Sequence, residues 1–559
     1  MRAVFAMAFG WLVAGTVRAD VYLVGDTDRD ACDYATVQDA IDSATANGPA
    51  LETILIANTG TYTNVTLVVG DKSLIIEGGF DSCANQNADA PADLGGSPAD
   101  TVISIQPSAG VATQVTLRGL RIHDGGYYDP VSGIGGNGGG VYIVNGAVVT
   151  IEDTTIENNI AGAGAGIYLQ RNFNIPTLQI NPGVKIRNNH AHDDGGGVYV
   201  YSYANLYIAA DGVNIDDNIA DHDGGGLAAT DRALISIGNP GMLAPRHDVT
   251  GTSISGNSAG MTGGGIALSF QAQVFAYELI LDSNTAALAG GGIALTHSGY
   301  AYMARDYLPG ANEFQCPSSR QCSRISNNSV GSGADGTHGG AIAMYSGSRA
   351  DIAQTIIRGN TAQDGSAVYV DDGTVLNMES VLVTGNQSND GSTGGKTIRT
   401  NFSVTAPQVR IAYATFADNH NMYVNGNYLS DDIQAVAGTQ LSIFSSAFYD
   451  VLDVGANSSF TDDCEVSSFA NLPSAYGTYT RDLAAPDPGF VNAAAGDYRP
   501  RGNSPLVDYC DASAYAAAYR DLLLTPRCQD NPGQTDHYGT CDVGAYEYDP
   551  DHIFADSFE

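Results

Sequence analysis

Two short segments that combine histidine with aspartate lie about thirty residues apart in the middle of the chain. They are His192-Asp193-Asp194 and Asp221-His222-Asp223, and each directly precedes three glycines. If the chain repeats at this interval, His192 and His222 stack in successive repeats, about 5 Å apart by strand spacing. The carboxylates of the two segments then repel one another unless a cation or a proton lies between them.

This acidic turn is compatible with two chemistries, or with none. Calcium prefers oxygen ligands, and its candidate ligands here are Asp194, Asp221 and Asp223. Paired carboxylates can also act as the acid and base of a glycoside hydrolase. The catalytic candidates are then Asp193, Asp194, Asp223, His192 and His222. The remaining interpretation is a solvated polar turn that binds nothing.

The elements that must position these residues come from an internal repeat. An asparagine recurs along the chain, with a glycine-rich triplet after it, at Asn159, Asn189, Asn218, Asn257, Asn284, Asn328, Asn360 and Asn386. Short β-branched runs between these positions are typical of strands joined by tight turns. One repeat cannot bury its apolar face alone, so the sequence predicts a solenoid of stacked coils.

The repeated asparagines and glycines have structural explanations. Asparagine tolerates the left-handed backbone of a one-residue corner, and its amide can bond to the same amide in the next coil to form a ladder. Glycine permits a positive φ and a close approach of neighbouring coils. We therefore expect these positions to be architectural.

Strand alternation assigns the residues after each glycine triplet to two faces, with the first and third pointing in and the second pointing out. The outward residues are Tyr142, Tyr168, Tyr199, Ala228, Ala267, Ala294, Ala343 and Tyr369. Sugar rings pack on aromatic faces, and the candidate ligand-binding residues are Tyr168, Tyr199, Tyr201 and Tyr369. The alternative is that these tyrosines reflect strand propensity alone.

Two repeats carry insertions, near residues 238–249 and 305–323, both expected between the second and third strands of a coil. Loops leaving the same corner could wall a shallow cleft. At the other end of the chain, Thr36 is the expected N-cap of a short helix that ends at Asn47-Gly48. Its apolar face would contain Val37, Ala40, Ile41 and Ala44. Such a helix would cover the open edge of the first coil.

The composition constrains partners and location. The chain has 61 acidic and 24 basic residues and a formal net charge of −37, which excludes nucleic acid as a partner because phosphate backbones are repelled. Residues 1–19 combine Arg2, an apolar stretch and a small-residue cleavage site, the pattern of a secretory signal peptide. No later stretch is apolar enough to span a bilayer. We expect an exported monomer without a transmembrane segment.

Eight cysteines in an exported chain predict disulfides. Proximity in sequence favours Cys32 with Cys83 and Cys316 with Cys322. The other four, Cys464, Cys510, Cys528 and Cys541, are expected to pair among themselves, in an order that the sequence leaves open.

The Asn-then-Gly-Gly-Gly-(Ile/Val) repeats resemble those of right-handed parallel β-helix proteins, a fold that includes pectate lyases. They are most similar to the GGA(I/V) repeats of the polymorphic outer-membrane proteins, over roughly residues 35–470. The resemblance implies an all-β, pectate-lyase-like solenoid with a short N-terminal capping helix and a small C-terminal cap domain. It implies no particular activity, because β-helices host lyases, hydrolases, adhesins and passenger domains.

The C-terminal sequence resembles the choice-of-anchor Q domain of exported bacterial proteins. The matching segments are 487–491, 497–499, 504–508 and 542–547. Asp521 and Arg527 fall where that domain has an Asp…Arg pair, although its usual intervening glycine is missing. Residues 553–559 are similar to an IFxDGFE signature of exported gram-negative proteins, with Ser557 in place of the glycine. This resemblance implies an extracellular or outer-surface location on a gram-negative bacterium.

The motifs of β-helix enzymes are a poor match. Thr337-His338-Gly339 is not the GHG of polygalacturonase-like enzymes, and three lysines in all offer little for a polyuronate lyase. We therefore expect a non-enzymatic protein of adhesion or of glycan or matrix binding, the alternative being a polysaccharide hydrolase or lyase that uses the acidic turn. The expected divisions are a signal peptide (1–19), an N-terminal cap with the first coils (20–110), the β-helix (111–470), the anchor-like region (471–548) and a tail (549–559).

Overall fold

A computed structural model describes residues 20–46, 51–129, 134–209, 212–238, 251–304, 323–331, 336–388, 395–421, 431–448, 451–454, 458–467, 483–484, 487–511, 520–523 and 525–549. In these residues the chain winds through coil after coil of short strands. Strands at the same position in successive coils pair in parallel, so that long sheets run along the molecule. The predicted all-β parallel solenoid is confirmed.

Two of the sheets follow one another along each coil. Sheet 1 comes directly after the glycines and contains Leu67–Val69, Ile103–Ile105, Val141–Val144, Ile167–Gln170, Val198–Tyr201, Leu227–Thr230, Ile266–Leu268, Ile293–Leu295, Ile342–Met344, Val368–Val370, Ile398–Thr400, Asp431–Ala435 and Val451–Val454. Sheet 2 contains Val21–Val24, Glu52–Ala57, Leu74–Phe80, Gln114–Arg118, Val148–Glu152, Thr177–Ile180, Asn205–Ile208, Leu234–Ile237, Gln273–Tyr277, Tyr300–Ala304, Arg349–Ala353, Val375–Glu379, Gln408–Ala412, Gln440–Phe444 and Ser459–Asp463.

The remaining two sheets complete the coil. Sheet 3 contains Ala92–Gly95, Leu120–His123, Thr155–Glu157, Lys185–Arg187, Asn214–Asp216, Thr252–Ser255, Leu279–Asp282, Arg324–Ser326, Ile356–Arg358, Leu382–Thr384, Thr415–Ala417, Ala447–Phe448, Val466–Ser467 and Leu483–Ala484. Sheet 4 is narrow and contains Ile160–Ala161, His190–Ala191, Ile219–Ala220, Ser258–Ala259, Thr285–Ala286, Ser329–Val330, Thr361–Ala362, Gln387–Ser388 and His420–Asn421. Antiparallel pairs join Tyr128–Asp129 with Ile134–Gly135, and Phe490–Asn492 with Asp497–Pro500.

The inside of the solenoid is filled by every second residue of the strands. In Val198–Tyr201 the two valines are fully buried and the two tyrosines face outward. In the following coils of sheet 1 the first and third residues, such as Ile266 and Leu268, belong to the apolar core and the second, such as Ala267, does not, although it too is covered by its neighbours. This confirms the predicted assignment of inward and outward residues. Successive coils then stack Ile, Leu and Val on one another, and this continuous apolar column is the core.

A ladder of buried asparagines follows the corner between sheets 3 and 4. The Asn189 amide donates to the amide oxygen of Asn218 at 2.9 Å, and Asn218 donates to Asn257 at 3.0 Å. The same bond continues along Asn159, Asn189, Asn218, Asn257, Asn284, Asn328, Asn360, Asn386 and Asn419. The predicted ladder is confirmed.

The predicted backbone of these asparagines is wrong. The left-handed residue is the one before each ladder asparagine, such as Asn188 with φ 53° and Asp217 with φ 56°. This residue turns the chain so that the next side chain points inward, where its amide finds partners in both neighbouring coils. The corner therefore has two residues with separate tasks, one for the turn and one for the hydrogen bonds.

The glycine triplets serve the two purposes expected of them. The first glycine of each triplet has a positive φ, 70° at Gly195 and 69° at Gly224. The third glycine is crowded, because a Cβ on Gly197 would lie 2.6 Å from the carbonyl oxygen of Gly226 in the next coil. A side chain on Gly197 would therefore require a local shift of the neighbouring coil, whereas two later repeats accommodate an alanine at this position, Ala341 and Ala367.

The N-terminal helix spans Val37–Ser43 and begins at the predicted N-cap, where the Thr36 hydroxyl accepts a hydrogen bond from the Asp39 N–H. Val37, Ala40 and Ile41 are buried as predicted. The helix ends earlier than expected, with Ala44 as its C-cap and not at Asn47-Gly48. Its end is set by the extended backbone of Ala44, which no glycine signal marks.

The C-terminal region packs along the side of the last coils. Tyr498, Val543 and Ala545 form one apolar cluster with Leu382 and Ala447 of sheet 3. At its centre the buried Arg527 guanidinium lies over the Tyr413 ring at 4.5 Å and 3.6 Å from the Glu547 carboxylate. Asp521, its partner in the Asp…Arg resemblance, accepts the backbone N–H groups of Leu523, Thr525 and Glu547.

Disulfides close both ends of the described chain. Cys32–Cys83 is formed as predicted. The order that the sequence left open is Cys464 with Cys510 and Cys528 with Cys541.

Several sequence predictions fall outside the described residues. They are the signal peptide (1–19), the Cys316–Cys322 loop and the 553–559 signature. The two insertions leave sheet 2 after Ile237 and Ala304 and rejoin the coil at sheet 3, as expected from their position in the repeat. Most of each insertion, 239–250 and 305–322, is likewise outside the described residues.

Candidate functional site

The outer surface of sheet 1 forms a shallow groove over the middle coils. Its floor is a row of outward residues, in order Tyr199, Ala228, Ala267, Ala294, Ala343 and Tyr369. One wall contains the residues just before the glycines, in order Asp194, Asp223, Thr262, Ala289, His338 and Asp364. The other wall contains Tyr201, Thr230, Ser269, Thr296, Tyr345 and Asp371. We refer to these three rows as the groove.

Small floor residues create the groove. Between Tyr199 and Tyr369 four successive coils place alanine on the floor, and the strand spacing gives this stretch a length of about 24 Å. A shallow depression that is open to solvent lies over Ala228 and Ala267. It encloses far less space than the cavities that hold whole small molecules, so the groove fits one face of a long ligand better than a whole small molecule.

Tyrosines bound the groove at both ends, but they differ in accessibility. Tyr199 and Tyr201 are half-buried, and their rings are stacked with centroids 6.1 Å apart, while the tilted Tyr168 ring lies 5.5 Å from that of Tyr199. Tyr168 and Tyr369 are each only 4% exposed. Tyr369 is covered by the His338 ring, 4.0 Å away and nearly parallel. The aromatic surface open to a ligand is therefore offered by Tyr199 and Tyr201, and by the half-buried Tyr345 at the far end.

Asp194 and Asp223 lie in adjacent coils on the first wall and are joined by a backbone-to-carboxylate hydrogen bond. The Asp223 N–H donates to Asp194 Oδ1 at 3.1 Å, and Asp223 Oδ1 accepts two hydrogen bonds from Thr262, at 2.9 Å from its N–H and 2.8 Å from its hydroxyl. Burial raises the pKa of the Asp194 carboxyl to about 6, and the negative charge of Asp193 acts in the same direction. The wall thus combines a carboxyl that is partly protonated near neutral pH with one held by hydroxyl and amide donors.

The predicted stacking of His192 on His222 is wrong. The ladder asparagines of these coils, Asn189 and Asn218, define a register of 29 residues and not 30. His192 therefore lies opposite Asp221, and His222 lies opposite Asp193. Their Nδ1 atoms are 2.7 Å from these carboxylates. Because the register differs by one residue from the expected one, each histidine lies opposite an aspartate of the next coil and not opposite the other histidine.

One residue at this corner was missed by sequence reasoning. His190, next to the ladder residue Asn189, faces outward on sheet 4, and its Nε2 lies 2.8 Å from Asp221 Oδ1. Asp221 thus accepts hydrogen bonds from two imidazoles. Partial burial acts to raise the pKa of Asp221, but these hydrogen bonds outweigh it and lower the pKa. Strand alternation places residues 190 and 192 on the same face, and this signal was available in the sequence.

We call these residues the His/Asp corner: His190, His192, Asp193, Asp194, Asp221, His222 and Asp223. Two groups of three donors have ligand atoms within 4.8 Å of one another, namely His190–His192–Asp221 and Asp193–Asp194–His222. The predicted calcium ligands Asp194, Asp221 and Asp223 do not lie in one group. Asp221 is separated from the other two because it accepts hydrogen bonds from His190 and His192. Asp194 and Asp223 face the groove, where they line the depression.

Arg187, a basic residue of the kind that a polyuronate lyase needs, lies opposite Asp216 on sheet 3. Its Nε is 2.7 Å from Glu157 in the preceding coil. Glu157 also binds Arg121 at 2.6 Å. Arg187 therefore belongs to a ladder of ion pairs on a sheet that does not contribute to the groove.

Comparison with known proteins bears on the fold. A family model described as the right handed beta helix region matches residues 100–240, which contain the first part of the groove and the whole His/Asp corner. No curated protein matches the chain. Among the described residues, none of the helices has the length and apolar character to cross a membrane. The parallel sheets and this match together identify the chain as a right-handed parallel β-helix repeat protein.

Proposed function

We propose that this protein is exported and that it binds a polysaccharide chain along the groove of sheet 1 without cleaving it. The observation that carries the proposal is the floor of four successive alanines between tyrosines. Each floor residue comes from a different coil, so the groove has the periodic, open-ended form that suits a polymer. A half-buried tyrosine ring beside small floor residues provides the apolar contact that sugar rings use.

The walls restrict the class of polysaccharide. Thr230, Ser269 and Thr296 supply neutral hydroxyl groups on one side. Asp194 and Asp223 supply carboxylates on the other. Carboxylates accept hydrogen bonds from sugar hydroxyls and repel uronate groups. The ligand is therefore a neutral glycan, and polygalacturonate and other polyuronates are excluded.

A binding assay on immobilised neutral polysaccharides, with polygalacturonate as the negative ligand, tests this proposal. Ala267→Trp fills the floor and Tyr199→Ala removes the half-buried ring at its end. Each substitution is expected to weaken binding by about tenfold or more, a loss of about 1.4 kcal/mol. Tyr207→Ala is the matched control, because Tyr207 lies in the same coil as Tyr199 and faces outward from sheet 2. Unchanged binding in both groove variants would show that the glycan does not bind in the groove.

The location outside the cell rests on independent features. Three disulfides among the described residues form in an oxidising compartment, and the first nineteen residues have the pattern of a signal peptide. The anchor-like C-terminal region and the 553–559 signature favour retention at the surface of a gram-negative cell, where glycan binding would serve adhesion. Fractionation of cells that express either the full chain or a chain ending at residue 549 tests retention at the cell surface. If both chains distribute equally between surface and medium, residues 553–559 do not contribute to retention.

A polysaccharide hydrolase is the second candidate, and one observation favours it. Asp194, with its pKa raised to about 6, has the property of a general acid, and Asp223 is the adjacent carboxylate on the same wall. Release of reducing ends from the neutral glycan that binds best would support it. Loss of that release in both Asp194→Asn and Asp223→Asn, with binding retained, would establish catalysis in place of binding alone. Absence of reducing ends with the unmodified protein would reject it.

A further inference from the structure

We propose that His190, His192 and Asp221 form a zinc-binding site on the outer face of sheet 4. The site is separate from the groove, and it differs from the calcium site expected from the sequence in both its ligands and its metal. Two imidazole nitrogens and one carboxylate oxygen are a donor set that zinc uses, with the fourth position left to water. Calcium prefers oxygen ligands and has no use for two histidines.

The backbone fixes the three ligands relative to one another. His190 and Asp221 are placed by parallel bridges between adjacent coils, in which Ala191 pairs with Ala220. His192 N–H donates to Ala161 at 3.0 Å and Asp221 N–H donates to Ala191 at 2.9 Å. All three side chains leave the same face, because the alanines between them point into the coil.

The donor atoms already converge. His190 Nε2 and His192 Nδ1 lie 2.8 and 2.7 Å from the two different oxygens of Asp221. A tetrahedral zinc with bonds of about 2.0–2.1 Å separates its ligand atoms by about 3.3 Å. The three side chains must therefore open by about 0.5 Å, which is a small rotation for partly exposed groups. The hydrogen bonds that Asp221 accepts are replaced by bonds to the metal.

A tyrosine orients one of the ligands. The Tyr128 ring lies on the His192 ring with centroids 3.4 Å apart and planes within 17°. The His190 ring lies 4.4 Å from that of His192. Holding the imidazoles in place before the metal arrives reduces the entropy lost on binding. The neighbouring group Asp193–Asp194–His222 has one imidazole and two carboxylates, a donor set that suits zinc less well.

Calorimetric titration of the full chain with Zn²⁺, after chelator treatment and without a polyhistidine tag, tests the site. We expect one equivalent of Zn²⁺ to bind and millimolar Ca²⁺ not to compete. His190→Ala and His192→Ala should each weaken Zn²⁺ binding by roughly 100-fold or more, since changes at residues that only support ligands already cost 10- to 100-fold. His222→Ala is the matched control, because it removes a histidine from the same corner and should leave the affinity unchanged.

A second measurement separates loss of a ligand from loss of the fold. Co²⁺ bound in place of Zn²⁺ should give the visible absorption of a four-coordinate ion with nitrogen and oxygen ligands. Asp221→Asn, which preserves shape, should change this spectrum while the circular dichroism of the protein stays the same. Zn²⁺ affinity that is unchanged in the His190→Ala/His192→Ala double variant, or lost equally in His222→Ala, would overturn the proposal.

Discussion

The asparagine ladder and the His/Asp corner lie within a few residues of each other in the same coils, yet the ladder side chains are buried and those of the corner are accessible to solvent. Asn189 and Asn218 are fully buried, and each amide bonds to both neighbouring coils. His192 and Asp221, three residues further on, are paired across the same two coils but remain accessible to solvent. In both places each side chain bonds to the residue directly opposite it in the adjacent coil.

The difference teaches what burial does to a repeated polar residue. A buried amide must find every hydrogen bond inside the protein, so the same residue recurs in coil after coil. An exposed side chain can be satisfied by water, so its identity is free to vary, and the row of His192 and Asp221 continues in the next coils with Gly260, Ala287 and Gly331. We expect architecture where the repeat is uniform and function where it is interrupted.

The largest effect is expected from breaking the ladder. Asn218→Ala leaves the Asn189 amide and the backbone N–H of Asn189 without their acceptor. Buried groups without partners cost about 1–3 kcal/mol each, so the free energy of unfolding should fall by about 3 kcal/mol. Asn214→Ala is the control, because Asn214 faces outward in the same coil. Urea unfolding of both variants makes the comparison, and similar losses would contradict the role given to burial.

A smaller, pH-dependent effect is expected from Asp194, which lies at the edge of the corner and partly buried in the groove wall. Because its folded pKa is raised to about 6, from an unfolded value near 3.8, the protonated form is favoured by folding. Its contribution is fully present below pH 3.8 and is lost as the pH rises through 6. Asp194→Asn should therefore stabilise the protein by about 1 kcal/mol at pH 8, allowing for partial exposure, and have little effect at pH 4.

The pH dependence of Asp194→Asn is compared with that of Asp231→Asn. Asp231 lies in the adjacent coil, in the turn that follows the sheet 1 strand Leu227–Thr230. Thermal unfolding at the two pH values gives the difference directly. An identical pH dependence in the two variants would show that the groove wall does not set the behaviour of Asp194.

The smallest effect is expected from the most exposed pair of the corner. The hydrogen bond to Asp193 raises the pKa of His222, so its contribution to stability is present below the unfolded pKa near 6.5 and is lost as the pH rises through the higher folded value. Since the His222 and Asp193 side chains are 54% and 60% exposed, His222→Gln should cost no more than about 0.5 kcal/mol at pH 5.5 and nothing measurable at pH 9. Chemical unfolding at both pH values measures this. A loss of stability as large as that of Asn218→Ala would show that the exposed His/Asp corner contributes as much to stability as the buried asparagine ladder.

Much of the solenoid could be predicted because its constraints are local and repeated. The ladder asparagines, the positive φ of the first glycine and the inward valines of sheet 1 follow from residue types at fixed spacing. The pair Cys32–Cys83 followed from proximity within the first coils. The site was harder to predict, since it depends on which residues of different coils lie opposite each other, and counting from His192 to His222 gave a register wrong by one.

The sequence by itself determined that the chain winds into stacked parallel coils, because a short repeat of strands, corner asparagines and glycines can bury its apolar face in no simpler way. Only the tertiary structure decided the pairing of His190 and His192 with Asp221, the covering of Tyr369 by His338, and the packing of the C-terminal region around Arg527. Each of these joins residues whose contact depends on register or on packing between distant segments. A repeat pattern specifies the coil, whereas side chains on its surface meet their neighbours according to a register that one residue can change.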